Sequence, residues 1–442
     1  MAGNSVSREL WSSKLGMILA LIGVAVGLGN VWRFPYMLGK FGGAAFLLVY
    51  IALVLAVGVP ALWAELSLAR YVKSGPFKAY VNLGVRCGKS IGIFLLLVAV
   101  AAVSYYLVVI GWVLWYFIAS ASGMYLGVSA VSFFESTLSS FWIQALMDSL
   151  VIGLCVIICL GGVRKGIERA SKYLMPVVYV VLLMILVKAV TLPNAIEGLY
   201  FYLRPEWSLL TPITLLAAAG QVFFSLGLGA TWIFIYGSYI GDDRSTIEAG
   251  SWTAFGDTLA SFIAGLAILP TVYAFGIDPS SGPPLLFITL PEIFKVLPMG
   301  MLLASLMFLG LLFAATLSAV PAFEIFADAL QEFGWSRKKS VITLAIIELV
   351  LGIPSMLSVN IILYNDLIWS SALQIGSLIA IAVFTHILGK NKALLELSKS
   401  SKIGKYFMSS YVGNFIYYWI KYFVPSIIIL ILIYGWYSWL TS

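Results

Sequence analysis

Apolar runs of about 20 residues, each long enough to cross a hydrocarbon core of about 30 Å, recur along this chain from Leu15 to Leu440. Short polar breaks separate them. About eleven can be counted, at 15–37, 43–69, 90–122, 142–162, 170–190, 213–240, 250–276, 299–330, 338–355, 366–389 and 413–440. In lipid the backbone must find its hydrogen bonds within each segment, so the pattern predicts an all-α polytopic membrane protein. Composition agrees: with 62% hydrophobic and 10% charged residues there is too little polar surface for a soluble globule. The first run follows Arg8 and Lys14, has no small-residue cleavage site, and ends in Arg33-Phe34-Pro35, so it is expected to stay as a helix rather than leave as a signal peptide.

A net charge of +7 invites a nucleic-acid reading. The placement of the charge argues against one. Basic residues fall in alternate connections, from Arg8 and Lys14 through Arg70, Arg164 and Arg337 to Lys399, Lys402 and Lys405. Only Arg33, Lys40, Lys188, Arg204, Lys295 and Lys421 of the 26 are left for the other side. The positive-inside rule then places the N-terminus in the cytoplasm of a multi-pass protein of the plasma membrane, and an odd helix count places the C-terminus outside. Cys87, Cys155 and Cys159 form neither a disulfide framework nor a zinc spacing. His386 stands alone near a helix end, so metal or histidine-based catalysis has no material and an enzyme is not expected.

Two apolar runs are interrupted by glycine near their middles: Gly23 to Asn30 in the first, and Ser225-Leu226-Gly227-Leu228-Gly229 in the sixth. Such a pair in matching positions is the sequence sign of an inverted repeat with its binding site at the midplane. The expected plan is a single domain over 1–442, with a first repeat of five helices (8–190), a second of five (208–390) and an extra eleventh helix (412–442). Unwinding a helix in lipid leaves backbone groups without partners at several kcal/mol each, so a break survives where those groups face a cavity, an ion or a ligand. Freed amides suit a carboxylate and freed carbonyls a cation. The competing reading is that these glycines serve close helix packing.

Arg8-Glu9-Leu10-Trp11, followed by Gly23 through Arg33-Phe34-Pro35, resembles the opening of the neurotransmitter:sodium symporters. The resemblance continues through Gly42-Gly43-Ala44-Ala45-Phe46, Pro60, Glu65 and Arg70, Tyr105-Tyr106, Lys165 to Arg169, Gly220-Gln221-Val222-Phe223-Phe224, Ser238-Tyr239, Phe287 to Pro291 and Gly334 to Lys338. It covers essentially the whole chain and implies the LeuT-type fold, with helices one and six broken. It further implies one or two sodium ions and one solute. The first sodium site would take the Ala25 carbonyl, Asn30, Ser225 and Asp257. Chloride-dependent members carry Asn in place of Asp257; here the acid supplies the negative charge, and a second anion beside it in a low-dielectric site would be repelled, so chloride independence is expected. The second sodium site would use Gly23, Val26, Ala314 and Ser318. There Leu317 replaces a usual hydroxyl residue, leaving Thr316 as a possible ligand or the site one ligand short. The alternative for Thr316 and Ser318 is a bond to carbonyls one turn back.

For the solute, the resemblance points to Gly27, since monoamine carriers have an aspartate there. An amino acid, bringing its own carboxylate, is expected instead. Its charged ends would meet Ala25, Leu28, Gly29, Tyr106, Phe224 and Ser225. Its side chain would lie among Ala102, Tyr106, Phe224, Gly227, Ala230, Ser318 and Ala322, a set rich in Gly and Ala that favours a bulky hydrophobic or aromatic substrate unless neighbours such as Trp232 fill the space. Arg33 and Asp366 would close the outer gate. Arg8, Trp11, Ser238 and Tyr239 match the inner gate, with Asp328 a substitute for the family's acidic partner; otherwise Arg8 is a solvated basic residue. The acids expected deep in the bundle, besides Asp257, are Glu65 and Glu324. The reading is a sodium-coupled amino-acid symporter working by alternating access in the bilayer, as a monomer or weak dimer without nucleic acid. The alternatives are a carrier of small neutral amino acids or a binding-only amino-acid sensor. A channel would need a continuous polar pore.

Overall fold

The computed structural model describes residues 8–276, 285–401, 404, 406 and 411–441. Lys402 and Lys405, expected on the basic side, lie outside them. Among the described residues the regular structure is helical, and nine helices are long and apolar enough to cross a membrane. The first expected span is two helices, α1 (Lys14–Ala25) and α2 (Gly29–Lys40), bent by 55° at a short break. Then follow α3 (Ala44–Val72), α4 (Gly88–Ser122), α5 (Phe141–Leu160) and α6 (Val163–Val190). The sixth run divides into α7 (Pro212–Ser225) and the short α8 (Trp232–Gly237). The rest are α9 (Thr246–Ala274), α10 (Gly300–Gln331), α11 (Arg337–Leu357), α12 (Val359–Ile387) and α13 (Tyr411–Leu440). By length and composition alone, up to ten crossings are counted among the described residues when α1 and α2 count as one, with α7 and α8, separated by the longer break, not among them.

Helix starts follow their caps. Ser13, Ser140, Ser245 and Ser336 each accept a backbone N–H from the first turn of α1, α5, α9 and α11, and Thr211 forms a capping box with Thr214 at α7. Two helices begin about two turns earlier than their apolar runs. In α6 the added turns hold Arg164 and Lys165 at the surface while Glu168 turns inward. In α12 they carry Asn360 and Asn365. Burial sorts the bundle: 72% of the apolar window of α9 is buried but only 28% of that of α13, so α9 belongs to the interior and α13 to the rim.

The chain ahead of α1 is fixed by two carboxylates, one buried and one exposed. Glu168 accepts from the N–H and Oγ of both Ser12 and Ser13, at 2.7–3.2 Å. Gly16 is required beside it, since a Cβ there would stand 2.1 Å from Glu168 Oε1. Glu9 in turn accepts from the N–H groups of Val163 and Arg164, so the start of α6 and the approach to α1 cap one another. At the same end of the bundle Arg70 is fully buried. Its Nε meets Glu396 Oε1 at 2.6 Å, and its other nitrogens donate to the carbonyls of Arg244 and Glu396.

Glu396→Ala strips that guanidinium of its carboxylate while leaving it out of water. A stability loss of about 3 kcal/mol is expected, read as a lower melting temperature in detergent. Because an apolar pair can replace a buried ion pair at little cost, the double variant Arg70→Met with Glu396→Leu should recover much of the loss.

Candidate functional site

The two breaks meet at the centre of the bundle. Where α1 stops, the Gly27 N–H donates to Asn30 Oδ1 at 2.8 Å, and the Asn30 N–H donates to the Gly27 carbonyl at 3.3 Å. Asn30 Nδ2 then faces Asp257 Oδ1 (2.6 Å), Ser261 Oγ (2.8 Å) and Ser225 Oγ (3.1 Å). The Ser225 hydroxyl lies 2.8 and 2.9 Å from the two Asp257 oxygens, and the Tyr50 hydroxyl donates to Asp257 at 3.3 Å. Asn30, Asp257, Ser261 and Tyr50 have no solvent exposure. Three of the four residues expected at the first sodium site therefore converge, while Ala25 ends α1 beside them on the wall of a cavity. The Asn30 oxygen is engaged by Gly27, and its amide nitrogen is what faces the carboxylate.

The second break runs from Leu226 to Thr231. Its backbone enters left-handed conformations at Gly227 (φ +62°), Gly229 (φ +153°) and Ala230 (φ +57°). Glycine tolerates this without cost, whereas alanine must be held. Glu65 from α3 holds it, accepting the Gly229 N–H at 3.2 Å and the Ala230 N–H at 2.9 Å. Gln221 ties the breaks together, its Nε2 donating to the Gly29 carbonyl at 3.3 Å. The anchoring role of Glu65 was not read from the sequence. Its signal was a single acid in an otherwise apolar run.

A cavity of about 400 Å³ adjoins both breaks. Of the expected substrate residues, Ala25, Gly27, Gly29, Ala102, Tyr106, Phe224, Ser225, Gly227 and Ser318 line it. Leu28 lines an adjoining chamber of about 170 Å³. Ala230 and Ala322 are fully buried but stand off both walls, whereas Trp232 is on the larger one. Tyr106 and Ser318 share a hydrogen bond of 2.9 Å, and the Leu28 N–H points at the Tyr106 hydroxyl from 3.4 Å. Gly27 has no room for a side chain, since a Cβ would lie 2.8 Å from the Tyr106 hydroxyl and 3.0 Å from Ser318 Oγ.

The residues expected around a second sodium are arranged differently. Leu317 reaches toward α1, its Cβ and Cδ1 each 3.4 Å from where a Gly23 Cβ would be. Ser318 Oγ bonds to Tyr106 and to the Ala315 carbonyl, three residues back. Thr316 Oγ1 is buried without a hydrogen-bond partner. Ala314 is buried, and the Val26 N–H still closes the last turn of α1 on the Ile22 carbonyl at 2.7 Å.

The two ends of the bundle are latched unequally. Arg8 pairs with Asp328 at 2.9 Å, donates to Ser238 Oγ at 2.5 Å and lies 4.6 Å over the Tyr239 ring. Trp11 donates its indole N–H to the Tyr236 carbonyl at 3.0 Å. Tyr239 continues the chain to Glu324 at 2.6 Å, and Glu324 is paired with Arg337. Nearby, outside the spans, hydrogen bonding by Lys73 and then Lys399 holds the Asp242 carboxyl below its ordinary range. At the other end Arg33 packs 4.4 Å over the Phe224 ring, while Asp366 accepts from the Tyr105 hydroxyl at 3.0 Å. Arg33 and Asp366 border the same chamber without forming an ion pair among the described residues.

Broken helices around buried polar side chains and a central cavity define a membrane transporter of the kind in which a small solute crosses at the midplane. The family model described as "Sodium:neurotransmitter symporter family" matches residues 8–127 and 142–440, and the chain belongs to that family. An uncharacterized sodium-dependent transporter of Haemophilus influenzae is 32% identical over 98% of this chain and 99% of its own. The uncharacterized sodium-dependent transporter YhdH of Bacillus subtilis is 31% identical over 95% and 96%. A crystal structure of MhsT in complex with L-phenylalanine superposes with a TM-score of 0.87 at 34% identity, covering 97% of this chain and 100% of the other. The chain is a multi-pass, sodium-dependent secondary transporter of the LeuT fold and not an enzyme.

Removing the carboxylate that holds the second break tests its weight. Glu65→Ala leaves two buried N–H groups without acceptors, at about 1–3 kcal/mol each. It should lower the melting temperature and abolish sodium-dependent substrate binding, with Glu65→Gln intermediate because an amide oxygen still accepts.

Proposed function

We propose that this protein couples sodium to the uptake of an amino acid with a bulky hydrophobic or aromatic side chain. The observation that carries the reading is the contact between a buried carboxylate cluster and a mainly apolar cavity whose wall has glycine at position 27. With no room for an acid at Gly27, a substrate amine finds no side-chain counter-ion there, and a substrate that brings its own carboxylate suits the site better. That carboxylate would take the N–H groups near Leu28 and Gly29 and the Tyr106 hydroxyl, which would leave Ser318. The ammonium group would face carbonyls near Ala25, Phe224 and Ser225. Ala102, Gly227 and the aromatic faces of Phe224 and Trp232 leave space for a large side chain. The match to MhsT in complex with L-phenylalanine supports the same class of substrate.

Sodium would bind beside Asp257, with Ser225, the Ala25 carbonyl and the Asn30 oxygen, which requires the Asn30 amide to turn over and release Gly27. The ion and the substrate carboxylate would complete one another's site, and this mutual stabilisation favours closure of the outer side. Arg33 and Asp366 would then leave Phe224 and Tyr105 to pair, while the Arg8–Asp328 latch opens in the inward phase. The helices up to α6, and those from α7 to α12, would act as the two inverted halves, in a plasma membrane with the N-terminus inside. Asp257 supplies the negative charge that chloride provides elsewhere, so transport should be chloride-independent. The apolar contact of Leu317 with Gly23 favours a single sodium ion per cycle.

Uptake into proteoliposomes tests these points separately. Ala102→Phe narrows the cavity without disturbing a strained backbone position; it should abolish uptake of phenylalanine-sized substrates and spare alanine-sized ones. The opposite ranking would assign the cavity to small neutral amino acids. Replacing external chloride with gluconate should leave the rate unchanged. The rate should rise hyperbolically with sodium; a sigmoidal rise would restore a second ion. Substrate binding without accumulation would point to a sensor.

A further inference from the structure

Two acids that play no part in the site above face one another across the seam between α5 and α11. Asp148 is fully buried, Glu348 is 1% exposed, and none of their four carboxylate oxygens has a hydrogen-bond partner. Three contacts fix how the antiparallel helices align. Gln144 Nε2 donates to the Met356 carbonyl at 2.9 Å, a Cβ on Gly352 would stand 3.5 Å from Asp148 Oδ2, and Arg337 Nε donates to the Cys159 carbonyl at 2.8 Å. Asp148 therefore lies level with Gly352, one helical turn or about 6 Å along the seam from Glu348. Both acids are near the middle of their helices and so near the middle of the membrane.

Among the described residues no lysine, arginine or histidine acts on either acid; Glu348 feels Asp148, and both act on the Cys155 thiol of α5. From α4 the neighbours are Val108 and the backbone near Gly111, where a Cβ would stand 3.0 Å from the Asp148 nitrogen. Gln144, one turn before Asp148, spends its amide on Trp112, Leu138 and Met356 and has nothing left to give. Ser355, on the turn after Gly352, is also buried with an unpartnered hydroxyl.

An ionised carboxylate without a partner is the costliest group to bury, and two of them a turn apart also repel. A metal cation is a poor answer. Hard cations need a shell of oxygens, and no group of three or more metal-ligating side chains occurs among the described residues. A proton needs only one oxygen. We propose that Asp148 and Glu348 form a proton-binding site inside the membrane, holding both acids neutral at neutral pH. Loss of those protons would put charge into the seam and force α5 and α11 apart beside α4, which carries Tyr105 and Tyr106 on the cavity wall little more than a turn from Gly111. Folding keeps protons that the unfolded chain would release, so stability falls as pH rises from the ordinary carboxylate range up to the pH at which the folded pair itself ionises.

Infrared spectra of the purified protein at neutral pH should contain protonated-carboxyl C=O absorption that Asp148→Asn and Glu348→Gln each reduce. The double variant mimics the neutral pair. It should keep sodium-dependent substrate binding, melt at neutral pH no lower than the native chain, and lose the part of the native fall in melting temperature that lies between mildly acidic and neutral pH. Absorption unchanged in both single variants would mean that the acids are ionised and would overturn the proposal; so would a fall between mildly acidic and neutral pH that is as large in the double variant as in the native chain. Should the double variant fail to fold, the single-variant spectra still decide.

Discussion

A backbone that leaves its helix inside a bilayer must be given partners by something else, and the centre of this molecule is organised around that demand. The partners come from helices that are themselves unbroken. Glu65 on α3 receives the amides of the second break, and Asp257 on α9 receives Asn30 and Ser225, one from each broken segment. Gln221 then bridges directly from one broken segment to the other. Neither break could stand alone: unpartnered groups at several kcal/mol each would exceed what any nearby packing returns. The consequence is a joint that is stable yet has few regular backbone bonds to lose when it moves, which suits an element that must rearrange around a passing solute.

The same economy explains the unequal ends. At one end a network runs from Arg8 through Asp328, Ser238 and Tyr239 to Glu324 and Arg337, and each link is a charged or hydroxyl group with a defined partner. At the other end Arg33 and Asp366 are not paired with one another: an aromatic face holds Arg33 and a phenol holds Asp366. Partners of this kind keep a charged side chain in place at low cost while leaving it free to exchange for a stronger partner.

The breaks themselves were legible in the sequence because glycine clusters in membrane runs carry a cost that demands explanation. The helix ends at Ala25 and resumes at Gly29, and the second ends at Ser225, as the glycine positions indicated. Less legible was the far edge of the second break, which extends to Thr231, because Ala230 takes a left-handed conformation that only tertiary anchoring by Glu65 permits. Two further inward-facing acids were hidden. Asp148 and Glu348 each appear in the sequence as one polar residue in an apolar run, and only the alignment of α5 against α11 shows that they share a seam. Glu324 read as a deep acid and is buried, but its partner Arg337 is a residue the charge pattern assigned to the surface.

Position 317 shows how one side chain bears on coupling. A cation between α1 and α10 would need oxygen from both, yet Leu317 presents carbon to Gly23, and Ser318 is turned to Tyr106 on the cavity side. Of the local hydroxyls only Thr316 is unspent, on the residue before Leu317 and so about 100° around the helix. If the ion beside Asp257 is the sole one, the linkage between ion and solute runs entirely through groups that both would touch, Ala25 and Ser225 among them. Reciprocity then requires that whatever the ion adds to solute affinity, the solute adds to ion affinity. A carrier of this kind gains coupling through proximity at one joint rather than through a second ion remote from the solute.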